Sequence, residues 1–240
     1  MTILALEFSS LQRSVAVLRT EGAVMTAEVI ETGGERTNAF GMIEQVLAGA
    51  KIEREQIEVI AVGLGPGSYT GVRAAISLAQ GWQLAFAEPE QENSSQTMAS
   101  AQRRLARGVK LLGVSSAECL VAQARTEKIL GRVSVVIDAQ RNEFYLATYE
   151  VAPDGWREIA PLNIVSGAEV QSRAGTDGIL IGPEVTRWFP AGRMIFPRAA
   201  ALAALAARRS DFTPGEKLEP VYLRETKFVK ATAARGFHLK

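Results

Sequence analysis

The chain has 240 residues, of which 47% are hydrophobic and 22% charged, with a net charge of +1. That length and balance allow a sizeable core in one domain or two, and they exclude a strongly basic nucleic-acid binder. A single cysteine, Cys119, excludes an internal disulfide, and the opening MTILALEFSS lacks a secretory signal's basic start and cleavage site; with no apolar run of membrane-spanning length, a cytoplasmic protein away from membranes is expected.

In chain order, residues 3–8 predict a first strand. Residues 14–19 follow as a second after the turn Ser9-Ser10-Leu11-Gln12-Arg13, and residues 24–30 as a third after Glu21-Gly22. Their short connections make a meander. Residues 37–50 predict a helix, with Phe40, Ile43, Val46 and Leu47 on one stripe. Residues 57–62, apolar and rich in β-branched side chains, predict a buried strand. A loop holding Gly63, Gly65, Gly67 and Gly71 comes next, and then a helix of small residues over 72–86. Residues 88–100 are polar without periodicity and read as an insertion or linker, with a short basic helix at 101–107. Residues 110–114 predict a strand. Residues 115–128 predict a helix opened by Ser115, with Glu118 three positions on as in a capping box.

The pattern then recurs: strands at 133–137, 143–151 and 157–165, a short helix at 168–173, a strand at 178–182, and an alanine-rich helix at 197–209. The order β-β-β-α-β-α thus occurs twice without letter-by-letter repetition. It predicts an α/β protein of two similar lobes, each with a mixed sheet whose first strands form a hairpin and whose later strand arrives through a helical crossover. The division expected is 1–110 for the N-terminal lobe, with 88–107 as insertion or linker, and 111–240 for the C-terminal lobe. By fold analogy alone this is the duplicated order of the actin, Hsp70 and sugar-kinase superfamily, the ribonuclease H-like class in which a nucleotide lies between the halves.

The glycine loop matches neither standard phosphate motif. A Walker A loop needs a lysine and a hydroxyl residue after its last glycine, but Val72 and Arg73 follow Gly71. The spacing Gly65-Pro66-Gly67-Ser68-Tyr69-Thr70-Gly71 is wrong for a Rossmann fingerprint. Two readings stand. In one, backbone N–H groups at the helix start, with the Ser68 and Thr70 hydroxyls, receive an anion. In the other, the glycines and Pro66 shape a structural turn and Thr70 caps the helix.

The loops that meet phosphates in the superfamily fall here at Leu6-Glu7-Phe8-Ser9-Ser10 and Ile137-Asp138-Ala139-Gln140-Arg141. The first has a bulky Phe8 and no glycine; the second has Asp138 but no Gly-Gly after it. Both are poor phosphate cradles. Glu7 and Asp138 remain candidates for a water-mediated magnesium, with Ser9 beside them, or else for turn carboxylates that satisfy nearby N–H groups.

The segments ILALEFSS…SVAVL, GLGPGSYTGVRAAISLAQG, VVIDAQRNEFYLATY and PVYLRE resemble the TsaB (YeaZ) family over most of the chain, in the expected order. The resemblance implies an actin-like fold and a part in threonylcarbamoyladenosine synthesis on tRNA, next to the anticodon. It also implies that the chain is a non-catalytic subunit that binds and supports its paralogue TsaD. TsaE, an ATPase, joins that pair, and tRNA is met indirectly. No cofactor of its own and no catalytic or metal residue are implied, with ATP and magnesium possible at the joint surface. The implied partner face lies on the helices 37–50 and 72–86. Its residues are Asn38, Gly41, Met42, Gln45, Tyr69, Arg73, Ala74, Ser77, Leu78 and Gly81. Small or slim residues at helical spacing, Gly71, Ala74, Ala75, Ser77, Leu78, Gly81 and Ala85, suit close helix packing, either on a partner or on the protein's own sheet. Alone, the chain could pair with itself through this face.

Departures from the family pattern are Arg36-Thr37-Asn38-Ala39-Phe40 at the first long helix, Glu7 in place of the usual aspartate, and the 88–107 stretch; they mark a divergent member. The rival reading is an active ATPase or small-molecule kinase of the same superfamily. A metallopeptidase is disfavoured because His238 is the only histidine. Cys119 reads as a buried thiol, and Ser68 does not sit in a G-x-S-x-G elbow. The basic groups Arg103, Arg104, Arg107 and Lys110 read as a solvated helix face, and the basic tail 223–240 as an arm or a frayed end.

Overall fold

The computed structural model describes residues 1–21, 24–33, 38–86, 108–174 and 178–224. The expected 88–107 insertion with its basic helix, and most of the basic tail with His238, lie outside the described residues. No helix among the described residues is long and apolar enough to cross a membrane.

The first lobe begins with β1 (Thr2–Glu7), β2 (Gln12–Arg19) and β3 (Val24–Thr32). Helix α1 (Ala39–Ala50), strand β4 (Val59–Gly63), helix α2 (Tyr69–Ala85) and strand β5 (Lys110–Val114) complete it. Helix α3 (Ser116–Thr126) leads onward. The second lobe has β6 (Gly131–Asp138), β7 (Glu143–Ala152), β8 (Gly155–Ser166), α4 (Gly167–Ala174), β9 (Ile179–Gly182) and β10 (Arg193–Met194). Helix α5 (Ala199–Ala206) comes last.

The two sheets share one topology. The first runs β3-β2-β1-β4-β5; the second, read from its other edge, runs β8-β7-β6-β9-β10. In each, the central strand pairs antiparallel with its hairpin partner and parallel with the strand after the helical crossover. This is the duplicated, mixed-sheet arrangement of the actin-like fold. The strands are apolar on both faces because helices cover both sides, which is why β1 and β4 read as continuous hydrophobic runs.

On one face of the first sheet, Leu4, Leu6, Val15, Val17, Ile60 and Val62 meet Met42, Ile43 and Val46 of α1 and Val72, Ala75 and Ile76 of α2. On the other, Ile3, Ala5, Ala16, Val59 and Leu112 meet Cys119 and the Ala199, Leu202, Ala203 and Ala206 stripe of α5. The first sheet therefore extends past the expected division at 110, to Val114, and takes its second cover from near the end of the sequence. The N-terminus of α5 is seated by first-sheet side chains: the Ser14 hydroxyl accepts from the Ala199 amide at 2.7 Å, and the Glu28 carboxylate accepts from the Ala200 amide at 3.0 Å while pairing with Arg198. Amides at a helix start have no partner within the helix, and a carboxylate there also meets the positive end of the helix dipole.

Three local expectations change. Phe40, placed on the core stripe of the first helix, is 71% exposed. The helix starts at Ala39, and the inward stripe is Ala39, Met42, Ile43, Val46, Leu47 and Ala50. Helix α2 starts at Tyr69, and its cap is Ser68 rather than Thr70. Ser115 caps α3 through the Ala117 amide, but the expected reciprocal contact from Glu118 gives way to tertiary pairing, since its carboxylate lies 3.5 Å from Arg209.

Candidate partner-binding face and inter-lobe cleft

Where β1 ends, the chain packs directly against the glycine loop. A Cβ at Gly71 would run into the carbonyl oxygen of Phe8; one at Gly67, where φ is +148°, would run into that of Ser9. The Ser68 amide donates to the Ser9 carbonyl at 2.6 Å, and the Ser68 hydroxyl accepts from the Gly71 amide at 3.3 Å. The glycines thus let the first hairpin turn lie against the start of α2, and two of the amides there are already engaged within the chain. That is the structural-turn reading, built by backbone-to-backbone approach.

The anion candidates separate. Glu7 is fully buried: its carboxylate accepts from the Ser9 amide at 2.8 Å and the Ser116 hydroxyl at 3.1 Å, and it lies against the space where a Gly63 side chain would be. Burial raises its pKa above the ordinary 4.5, an effect those hydrogen bonds partly offset. This group braces the start of α3 and does not line the cleft, which corrects its placement as a ligand-facing carboxylate. Cys119 is likewise fully buried, and burial, then the nearby Glu7 charge, push its thiol well above the ordinary range. Thr70 stands exposed on α2, away from the cleft wall.

Ser9, Ser68 and Asp138 do line a cleft of about 1480 Å³ between the lobes, together with Arg13, Arg73 and Arg141. Asp138 accepts from the Gln140 amide at 2.8 Å and from the Gln140 side chain at 3.3 Å, so it holds the turn that follows β6. In that turn Gln140, Arg141 and Asn142 have φ of +65°, +60° and +60°, a left-handed run that non-glycine residues rarely adopt.

The outer surface of α1 and α2 is the other candidate. Both helices lie on the same face of the first sheet, and the crossover topology makes both start at the cleft end of the lobe. Asn38, Gln45, Tyr69, Arg73, Ser77 and Gly81 are exposed; Gly41, Ala74 and Leu78 are half-buried. Met42 is an exception: it is fully buried between α1 and the sheet, so its side chain belongs to the core. Gly71 and Ala75 also face inward and offer nothing to an outside helix. Gly81 differs, because a Cβ there would meet no atom within 4 Å. Two large apolar residues on this surface escaped the sequence reading: Phe40, hidden by its fit to the core stripe, and Leu84, 77% exposed near the end of α2. The signal for Leu84 was its place on the 77-81-84 side of the helix.

Comparison with known proteins sharpens this. The family model for TsaD, described as tRNA N6-adenosine threonylcarbamoyltransferase, matches residues 36–90, the stretch carrying α1, β4, the glycine loop and α2. The TsaB protein of Escherichia coli, described as a tRNA threonylcarbamoyladenosine biosynthesis protein, is 25% identical over 93% of this chain and 95% of its own length. The Bacillus subtilis protein of the same description is 25% identical over 67% of this chain; the match spans 60% of that relative. The solved structure of YeaZ from Pseudomonas aeruginosa superposes with a TM-score of 0.72 and 26% identity, covering 92% of this chain and 99% of that one. The chain is similar to TsaB/YeaZ proteins over most of its length.

Proposed function

We propose that the chain is a non-catalytic subunit of threonylcarbamoyladenosine synthesis on tRNA, and that it supports a TsaD-type protein by docking it on the outer face of α1 and α2. The observation that carries this reading is Gly81. A glycine inside a helix costs about 1 kcal/mol against alanine, and packing among the described residues gives no reason for one at 81, where the space is open. Close approach by an outside helix is such a reason. Exposed Phe40, Tyr69 and Leu84 on the same two helices provide apolar area for burial on association.

The TsaD family model covers the same α1–α2 stretch, so the proposed partner would carry a sister version of this face. Two related helix pairs meeting face to face resemble the self-complementary surfaces of twofold dimers, which also accounts for a homodimer when the partner is absent. TsaE joins the assembly, in this reading, as a further ATPase subunit. The degraded phosphate loops support the non-catalytic assignment: Glu7 is enclosed, Asp138 is occupied by its own turn, and the amides of Ser68 and Gly71 are engaged. ATP and magnesium, if present, belong to the joint assembly.

The test is co-expression with the TsaD of the same organism, followed by calorimetry on the lone chain. Stable co-purification, with no ATP turnover by the chain alone, is the expected result. Brisk ATP hydrolysis by the isolated chain would transfer the assignment to an active actin-like ATPase.

A further inference from the structure

The segment between Pro214 and Arg224 has no part in either sheet, yet it touches both lobes and α2. At its start, Gly215 is held by α2 from both sides: the Gln80 side chain donates to its carbonyl at 2.7 Å, and its amide donates to the Gln83 side chain at 3.2 Å. Leu218 is buried in the first-lobe core. The Val221 amide then donates to the Leu64 carbonyl in the glycine loop at 2.8 Å. Tyr222 lies over Tyr69, the first residue of α2, with ring centroids 5.9 Å apart. Arg224 finally reaches the second lobe, donating to the Ala139 carbonyl at 2.9 Å and to the Glu143 carboxylate at 2.5 Å. Three residues of extended chain span about 10 Å, enough to cross the rim of the cleft.

The landing point is distinctive. Ala139 and Glu143 flank the left-handed run Gln140-Arg141-Asn142. Residues in such sparsely populated conformations persist only where their surroundings hold them, and the Arg224 guanidinium grips both ends of this turn. Ser116, which opens α3, donates its hydroxyl to Glu7 and its amide to the Gly65 carbonyl, a buried pair of contacts outside the lining of the cleft. Tyr222, Leu223 and Arg224 themselves line the cleft, so the segment runs along its wall from one lobe to the other.

We infer that residues 214–224 form a strap that holds the two lobes at one opening of the cleft, anchored on α2 through Gln80 and Gln83 and on the second lobe through Arg224. The inference does not depend on the nature of the partner. A displacement of α2 is passed along the strap to the lobe angle, because both strap ends are fixed by directional hydrogen bonds rather than by apolar contact alone.

Nitroxide labels at Thr32→Cys and Ala168→Cys, exposed positions near the cleft ends of the two lobes, report the opening by pulsed electron spin resonance. Cys119, being fully buried, stays in place. The expected result is one narrow distance distribution for the intact chain. Arg224→Ala, which cuts the far end, and the double change Gln80→Ala with Gln83→Ala, which frees the near end, should each add a second population at longer distance. Circular dichroism melts establish that every variant is folded. Distributions in the folded Arg224→Ala chain that superpose on the parent would overturn the strap. A shift with Arg224→Ala but none with the double change would overturn the anchor on α2.

Discussion

The two lobes repeat one strand order but are dressed differently. The first sheet carries a long outer layer of α1 and α2, with Phe40, Tyr69 and Leu84 exposed on it. The corresponding face of the second sheet is covered by the eight-residue α4 and by Phe144, Trp188 and Phe189 packed edge to face. Duplication preserved the sheets because their register and twist fix the core, whereas the outer layer was free to change. Within α2 the same contrast recurs ten residues apart. Gly71 is required by the carbonyl of Phe8, and Gly81 by nothing among the described residues.

That contrast can be broken by substitution. Gly71→Ala should be the most damaging change, costing about 2–4 kcal/mol, because a Cβ there forces the Phe8 backbone aside; chemical denaturation measures it, and a cost near zero would mean that the hairpin turn yields freely. Gly81→Arg should leave the lone chain at least as stable as the parent while lowering affinity for a TsaD-type partner by at least ~100-fold, or about 2.7 kcal/mol. Unchanged affinity by titration calorimetry would place the interface elsewhere. Phe40→Ser should weaken the same complex by about tenfold through lost apolar burial, with no loss of melting temperature, since the ring is already in solvent.

Glu7→Gln sharpens the view of the buried contact between β1 and the start of α3. Folding raises the Glu7 pKa above 4.5, so the folded state favours the protonated form. Its contribution to stability is complete below 4.5 and is lost as pH rises through the folded value. Glutamine keeps an oxygen for the Ser9 amide and can donate to the Ser116 hydroxyl. The variant should therefore gain in melting temperature at pH 8 relative to pH 4; a parallel pH dependence in both proteins would show that Glu7 carries no buried charge. Gly81→Ala should have the smallest effect on the lone chain, stabilising it by about 0.5–1 kcal/mol through helix propensity.

Local periodicity alone was enough to place most of the elements. Buried strands such as β1 and β4, the small-residue helix α2 and the doubled β-β-β-α-β-α order were legible because apolar spacing and glycine punctuation are properties of neighbouring residues. The short β10 and the helical turn at Val185–Arg187 were not, since neither is long enough to show a period. Spacing alone does not fix the centre of a stripe: the inward one is centred on Ala39, Ile43, Val46 and Ala50, which leaves Phe40 at its edge in the first turn and open to solvent. Met42 was assigned to the partner face for the complementary reason.

The amino-acid sequence by itself determined the doubled α/β architecture, the family resemblance and the slim outer flank of α2, all of which follow from short-range pattern. Only the tertiary structure decided that Glu7 turns inward to Ser116, that Gly71 serves the Phe8 carbonyl while Gly81 faces open space, and that the final described residues tie the lobes together. Those outcomes depend on backbone approaches and hydrogen bonds between segments far apart in the chain, and no local spacing encodes them.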